Sequence, residues 1–317
     1  MQKKMNHIIS LALILTTTSF LLSACGGGSG SSANVAPVST SMPVSINFDL
    51  LANGISAKCG TSITGLGTKN TTVDLKDARF YVNNVNLVDA SGQNVPVTLT
   101  PNDWQSDQVA LINLIDGNGA VCGGVPLLTN TVITGTVPSG TYTGIQYEIG
   151  VPEALNHSDY ATAPKPLGVA GMAWSWTSGR KFLKLEVNPI GGVNVIRTNT
   201  ATTPATTTTS NGSTWYTHLG ATGCSTNATT GAYSCTNSNR MLVKLSAFDS
   251  SKQKISLDLN AFYAGADLTT DLAGATGCMS GSTDTECAAI FNNMKIDLNS
   301  GKTTSNGAQS IFVARSK

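Results

Sequence analysis

From position 44 the chain alternates apolar and polar residues: VSINFDL at 44–50 puts Val44, Ile46, Phe48 and Leu50 in one phase and Ser45, Asn47 and Asp49 in the other. A period of two predicts a half-buried strand. The same period returns at 95–99, 145–151, 183–187, 241–245 and 255–259, with Gly, Asn, Asp or Ser clusters between many of these runs. This is the signature of antiparallel strands with one face in a core. In FYVNNVNLV, Phe80 and Val82 share one phase while Val85 and Leu87 take the other, so Asn83 and Asn84 read as a bulge. Helical periodicity is scarce, the best candidates being 287–295 (CAAIFNNMK) and then 153–157. The expected fold is all-β, a β-sandwich or barrel-like antiparallel domain with small helical additions.

Upstream of position 44 the pattern is different. Lys3 and Lys4 precede an apolar run at 8–22 that ends in Leu22-Ser23-Ala24-Cys25, which reads as a signal peptide over 1–24. The run is short for a spanning helix, and the small residues before Cys25 resemble a bacterial lipoprotein lipobox. That resemblance implies cleavage before Cys25 and acylation of its new N-terminus, a lipid anchor with no transmembrane segment. The 25–43 stretch carries no charged residue and little that packs, so it reads as a flexible tether to a single domain at 44–317. Within that domain the Thr-rich run at 199–213 is expected to be an exposed, inserted loop, because it cannot build a core.

With Cys25 set aside, six of the seven cysteines remain: Cys59, Cys122, Cys224, Cys235, Cys278 and Cys287. In an exported protein an even number favours disulfides. Two pairs are close in sequence, Cys224 with Cys235 and Cys278 with Cys287, which suggests local bridges and leaves Cys59 for Cys122. The short loops would contribute roughly 3 kcal/mol each and the long one roughly 4 on the chain-entropy account. No spacing supports paired metal knuckles.

Composition narrows the chemistry. Charged residues make up 12% of the chain, and 19 basic residues nearly cancel 18 acidic ones, so there is no phosphate-tracking surface and no nucleic-acid partner is expected. Neither a nucleophile elbow nor a phosphate-binding glycine motif occurs in the folded part, and the 26–30 glycine run lies in the tether. Of the three histidines, His7 falls in the signal, leaving His157 in ALNHSDY and His218 in WYTHLGATGC. The sequence GMAWSWTSGRKFLKLE holds two of the four tryptophans, Trp174 and Trp176. On a strand, Met172, Trp174 and Trp176 would line one face, which is either core or a site. Imidazole and thioether together suit copper, particularly Cu(I). Asp159 could orient His157 or cap a local turn, and Arg180 and Lys181 read as a solvated face.

ALNHSD, PLG, GMAWSWTSGRKFLKLE, HLGATGC and GCMSGSTDTECAAIF, in this order, resemble the MbnP-like family of bacterial copper proteins, also described as the four-Cys partner of a metallo-mystery pair and related to CorA-like copper proteins. The resemblance extends over most of 44–298, including INFDLLANG and LKDARFYVNNVNLVD. It implies a copper site served by His157 and His218, and a tryptophan, Trp174 or Trp176, oxidised to kynurenine by a MauG-like dihaem partner. It also implies that Cys224, Cys235, Cys278 and Cys287 are structural. The expectation is therefore a lipid-anchored copper-binding protein of the bacterial cell envelope, at the outer membrane or periplasmic face, that handles copper and is not an enzyme. The alternative is a surface-tethered β-domain that binds a protein or glycan without metal.

Overall fold

The alternation at 44–50 becomes the strand Ser41–Ala52, with Val44, Ile46, Phe48 and Leu50 buried. It begins three residues earlier than the hydrophobic pattern implies, because Ser41 to Asn47 pair by backbone with Val132–Pro138 whatever their side chains. The computed structural model describes residues 40–116, 122, 129–163, 165–174 and 179–317. The signal, Cys25, most of the tether and Trp176 lie outside the described residues.

Two large sheets form the body. In the first the order is Phe312–Ser316, Gln253–Asp258, Ser41–Ala52, Val132–Pro138 and Thr98–Leu99. Its central contact, Ser41–Ala52 with Gln253–Asp258, is parallel, so the sheet is mixed. The second is built on the long strand Thr71–Asp89 and runs Met241–Leu245, Tyr142–Ile149, Thr71–Asp89, Leu183–Pro189, Trp215–Leu219 and Gly277–Cys278. Four aromatic rings join the sheets. Phe48 and Phe312 of the first meet Phe80 and Tyr147 of the second, edge to face, with centroids 5.5 to 6.0 Å apart. The product is an all-β sandwich.

Local departures have local causes. The 95–99 run divides into Asn94–Pro96, paired with the long strand, and Thr98–Leu99, paired with Val132–Pro138, so the chain changes sheets at buried Val97. The bulge lies where expected: the register passes from Asn83↔Glu148 to Asn86↔Gln146, with Asn84 at φ 50°. The 255–259 strand stops at Asp258, whose carboxylate accepts the backbone N–H of Asn260 at 2.9 Å and starts the turn Leu259–Phe262. The 287–295 helix is Cys287–Met294, and Lys295 in the left-handed region ends it.

The Thr-rich segment departs from the expected loop. It is the second arm of an antiparallel hairpin, Val193–Asn199 with Thr206–Gly212, docked in parallel on Thr270–Asp271. Its side chains are exposed, so no core holds it. Backbone pairing and the strand preference of threonine suffice. The cysteines pair as 59–122, 224–235 and 278–287.

Phe80 touches Phe48 and Phe312 and is fully buried. Phe80→Ala should lower the free energy of unfolding by about 3–5 kcal/mol in a denaturant titration. A loss below about 1 kcal/mol would show that the sheets do not close on this ring.

Candidate functional site

Alternation on three neighbouring strands places a charged layer behind the core. Leu183, Leu185 and Val187 point into the sandwich, while Lys184 and Glu186 take the other face, where the register sets Lys184 beside Arg79 and His218, and Glu186 beside Asp77 and Tyr216. Such a face is ordinarily solvated, yet Asp77, Arg79, Glu186 and His218 are all buried. Gly171 helps to cover it, lying so close to the Arg79 guanidinium that a Cβ there would stand 3.3 Å from both terminal nitrogens.

Buried charges persist only when paired, and these are. Arg79 donates to both Asp77 oxygens, one through Nε at 2.7 Å. Lys184 Nζ reaches Asp77 Oδ2 at 2.5 Å and Glu186 Oε1 at 3.1 Å. Lys76 approaches Glu186 Oε2 at 3.7 Å and lies over the Tyr216 ring. Burial alone would raise the Glu186 carboxyl, but the His218 hydrogen bond and the Lys184 charge outweigh it and bring the group down to about 2. Burial lowers the His218 imidazole below its ordinary value, against the pull of Glu186. The pair is thus a carboxylate and a neutral imidazole at neutral pH.

One nitrogen of His218 is consequently spoken for. Its Nε2 lies 2.7 Å from Glu186 Oε1, and because the carboxylate is acceptor-only, Nε2 carries the proton and donates. Nδ1 is left with a lone pair, buried and without a hydrogen-bond partner among the described residues. An orphaned buried acceptor costs free energy unless it is used. Among the described residues, the rings beside it are Tyr216, with its centroid 5.7 Å away, and Trp174, at 6.4 Å.

Trp174 is set by a closed turn rather than by a strand. Met172 ends the 3-10 turn Ala170–Met172, and the backbone then closes on itself through Lys181 N–H to Met172 O (2.8 Å) and Trp174 N–H to Gly179 O (3.0 Å). The expected shared face of Met172 and Trp174 is therefore not formed, because a 3-10 turn breaks the two-residue period. Met172 is fully buried in the core. The indole of Trp174 rests on Gly220, where a Cβ would fall 2.4 Å from a ring carbon. Any side chain there would displace the ring.

His157 is the C-cap of the short helix Glu153–Asn156. Its ring stacks on Tyr233 at 4.7 Å, and its Nε2 lies 3.2 Å from both Asn156 Nδ2 and Cys235 Sγ. Asp159 does not hold it; that carboxylate accepts the N–H of Ala161 in a local turn. Arg180, expected on a solvated face, is buried instead. Its guanidinium donates to the carbonyls of Asn156 (2.8 Å), Leu155 (3.3 Å) and Leu167 (3.0 and 3.1 Å), and its own N–H donates to Asn156 Oδ1. One side chain thus ties the His157 helix to the Trp174 turn. Lys181 likewise donates to Gly171 O and Ala173 O.

An open cleft of ≈ 390 Å³ is lined by Trp174, Thr222, Cys224 and Met279, among others, and neither histidine is among its lining residues. His218 neighbours Trp174, and His157 touches Cys235, which is bonded to Cys224. The 278–287 bridge braces the floor: Gly277–Cys278 pairs with Tyr216 and Thr217, and Ser280 Oγ donates to His218 O while accepting the N–H of Gly220. Sequence reasoning missed Glu186, Arg180 and Met279. Glu186 occupies an ordinary polar position of an amphipathic strand, and only the register sets it beside His218.

The described residues define an all-β, disulfide-braced protein with a cleft lined by an indole, a thioether and one cysteine of a disulfide, the indole neighbouring the carboxylate-held imidazole of His218 and the disulfide touching the imidazole of His157. The profile of the MbnP family matches residues 41–280. MbnP from Methylosinus trichosporium has a similar structure, with a TM-score of 0.76 and 33% sequence identity over 87% of this chain and 99% of that one. No curated protein matches the chain. The chain belongs to the MbnP family.

The buried pair makes stability depend on pH. An unfolded chain titrates glutamate near ~4.3, so the contribution of Glu186 is complete above that pH and is lost as pH falls toward about 2. His218 acts in the same direction at higher pH, because the unfolded chain takes up a proton below ~6.5 that the buried imidazole resists. The denaturation midpoint should fall progressively in acid, and Glu186→Gln should flatten the lower part of that profile. A profile identical to the native one would contradict the pairing.

Proposed function

We propose that the protein binds copper in the bacterial cell envelope and serves copper handling rather than turnover of a substrate. The observation that carries this reading is the bare, buried Nδ1 of His218, its ring fixed from behind by Glu186 and placed beside Trp174. A carboxylate on the far nitrogen sets the tautomer and raises the basicity of the near one, the usual support of a metal-binding histidine. Bound there, copper would supply a soft cation matched to imidazole and thioether.

His218 and His157 supply the imidazoles. Met279 takes the soft position expected of Met172, whose thioether is consumed by the core. An indole offers a metal only an N–H donor. Ring-opening oxidation to kynurenine yields an aryl amine and a ketone, both able to serve a cation, and Trp174 or Trp176 is the residue modified. A MauG-like dihaem enzyme is the partner that carries out the oxidation. The open cleft leaves the Trp174 turn within reach of the solvent side, as an external oxidant requires. Acylated Cys25 holds the domain at the membrane through the 25–43 tether.

The test is copper retention and peptide mass in protein produced with its dihaem partner. His157→Ala and His218→Ala should each weaken copper binding by at least about tenfold, and Glu186→Gln by about 10- to 100-fold, while the 171–186 peptide of the native protein carries an oxidised tryptophan. Stoichiometric, high-affinity copper in both histidine variants, with each variant shown to be folded, would overturn the assignment.

A further inference from the structure

We propose that Cys224, Cys235 and His157 form a second site, opened by reduction, for a soft d10 cation, Cu(I) in the first instance. It uses His157 but rests on neither His218 nor an oxidised tryptophan. The ligand atoms of the three residues already lie within 4.8 Å of one another. His157 Nε2 is 3.2 Å from Cys235 Sγ, and its ring is held by stacking on Tyr233 and by the Arg180 grip on the preceding helix.

The disulfide is placed to be opened. Its two cysteines face one another across an isolated ribbon, Thr222–Thr226 with Tyr233–Asn237, which belongs to neither large sheet and is mostly exposed. Both cysteines are half-buried, whereas each of the other two bridges has at least one fully buried cysteine: Cys122 beside half-buried Cys59, and both Cys278 and Cys287. Cys224 also lines the open cleft. A dithiol reductant reaching the cleft attacks Cys224 Sγ, and Cys235 leaves beside His157. The second thiol of the reductant then releases Cys224, so that two electrons and two protons pass to the protein and the reductant departs as a disulfide. The product is two thiols and an imidazole. Cu(I) displaces the thiol protons without changing its own oxidation state. Two thiolates and an imidazole, with no carboxylate in the set, select a soft cation over a hard one.

The experiment uses the wild-type protein under anaerobic conditions. After graded treatment with a dithiol, free thiols are alkylated and mapped by peptide mass. Cu(I), supplied as its acetonitrile complex, is then partitioned against a chromophoric Cu(I) chelator. Cys224 and Cys235 should be labelled before the other four cysteines, and reduction should add about one equivalent of Cu(I), which protects these two from alkylation. Cys224→Ser/Cys235→Ser should abolish the added equivalent, and His157→Ala should weaken it at least about tenfold. The proposal is overturned if reduction adds no Cu(I), if the serine variant gains as much as wild type, or if copper leaves Cys224 and Cys235 open to labelling. Copper held by the oxidised protein is measured separately, so failure here leaves the His218 assignment standing and the reverse also holds.

Discussion

The hydrogen bond from His218 to Glu186 is the constraint from which the rest of this structure follows. It commits one imidazole nitrogen and leaves the other buried, with no hydrogen-bond partner among the described residues. A buried carboxylate would be untenable alone; Lys184 and Lys76 make it tenable, and Asp77 and Arg79 complete the balance of charge on the same sheet face. The layer is costly to assemble. A core of apolar residues would do as well for stability; what the charged layer adds is a fixed imidazole whose Nδ1 has no partner among the described residues.

Order around the cleft comes from residues that do not line it. Arg180 fastens the His157 helix to the Trp174 turn through backbone carbonyls. Gly220 gives the indole its seat by offering no side chain. Ser280, anchored by the bridge at Cys278, pins the backbone around His218. Each is a support on strand, bridge or turn that limits how far the neighbouring side chains can move. The cleft itself stays open, so the same site can be rigid at its floor and accessible at its mouth.

Much of the fold is legible along the chain because strand alternation is a local property. Val44 to Leu50, the bulge at Asn83 and Asn84, and the helix after Cys287 need no knowledge of distant residues. Boundaries set by pairing or capping are not legible in that way: Ser41 joins a strand because Val132–Pro138 runs beside it, and Leu259 leaves one because Asp258 turns to cap. The Thr-rich hairpin misleads since a strand can exist on backbone pairing without a core face. At the site, scarcity made His157 and His218 visible. Glu186 is 32 residues from its partner and looks like any outward-facing polar residue until the register is known. Arg180 read as a solvated charge because nothing local reveals that carbonyls of a distant helix await it. The alternation of Met172 with Trp174 reads as a strand because nothing in the sequence marks the 3-10 turn that precedes Trp174.

The tautomer of one imidazole decides whether His218 can hold copper, and nitrogen-15 NMR of the metal-free protein labelled at histidine reads it directly. At neutral pH, His218 should show a protonated Nε2 and a bare Nδ1, and titration with Cu(I) should shift the Nδ1 resonance while the Nε2 proton persists. A proton on Nδ1, or a doubly protonated ring, would contradict the His218 assignment.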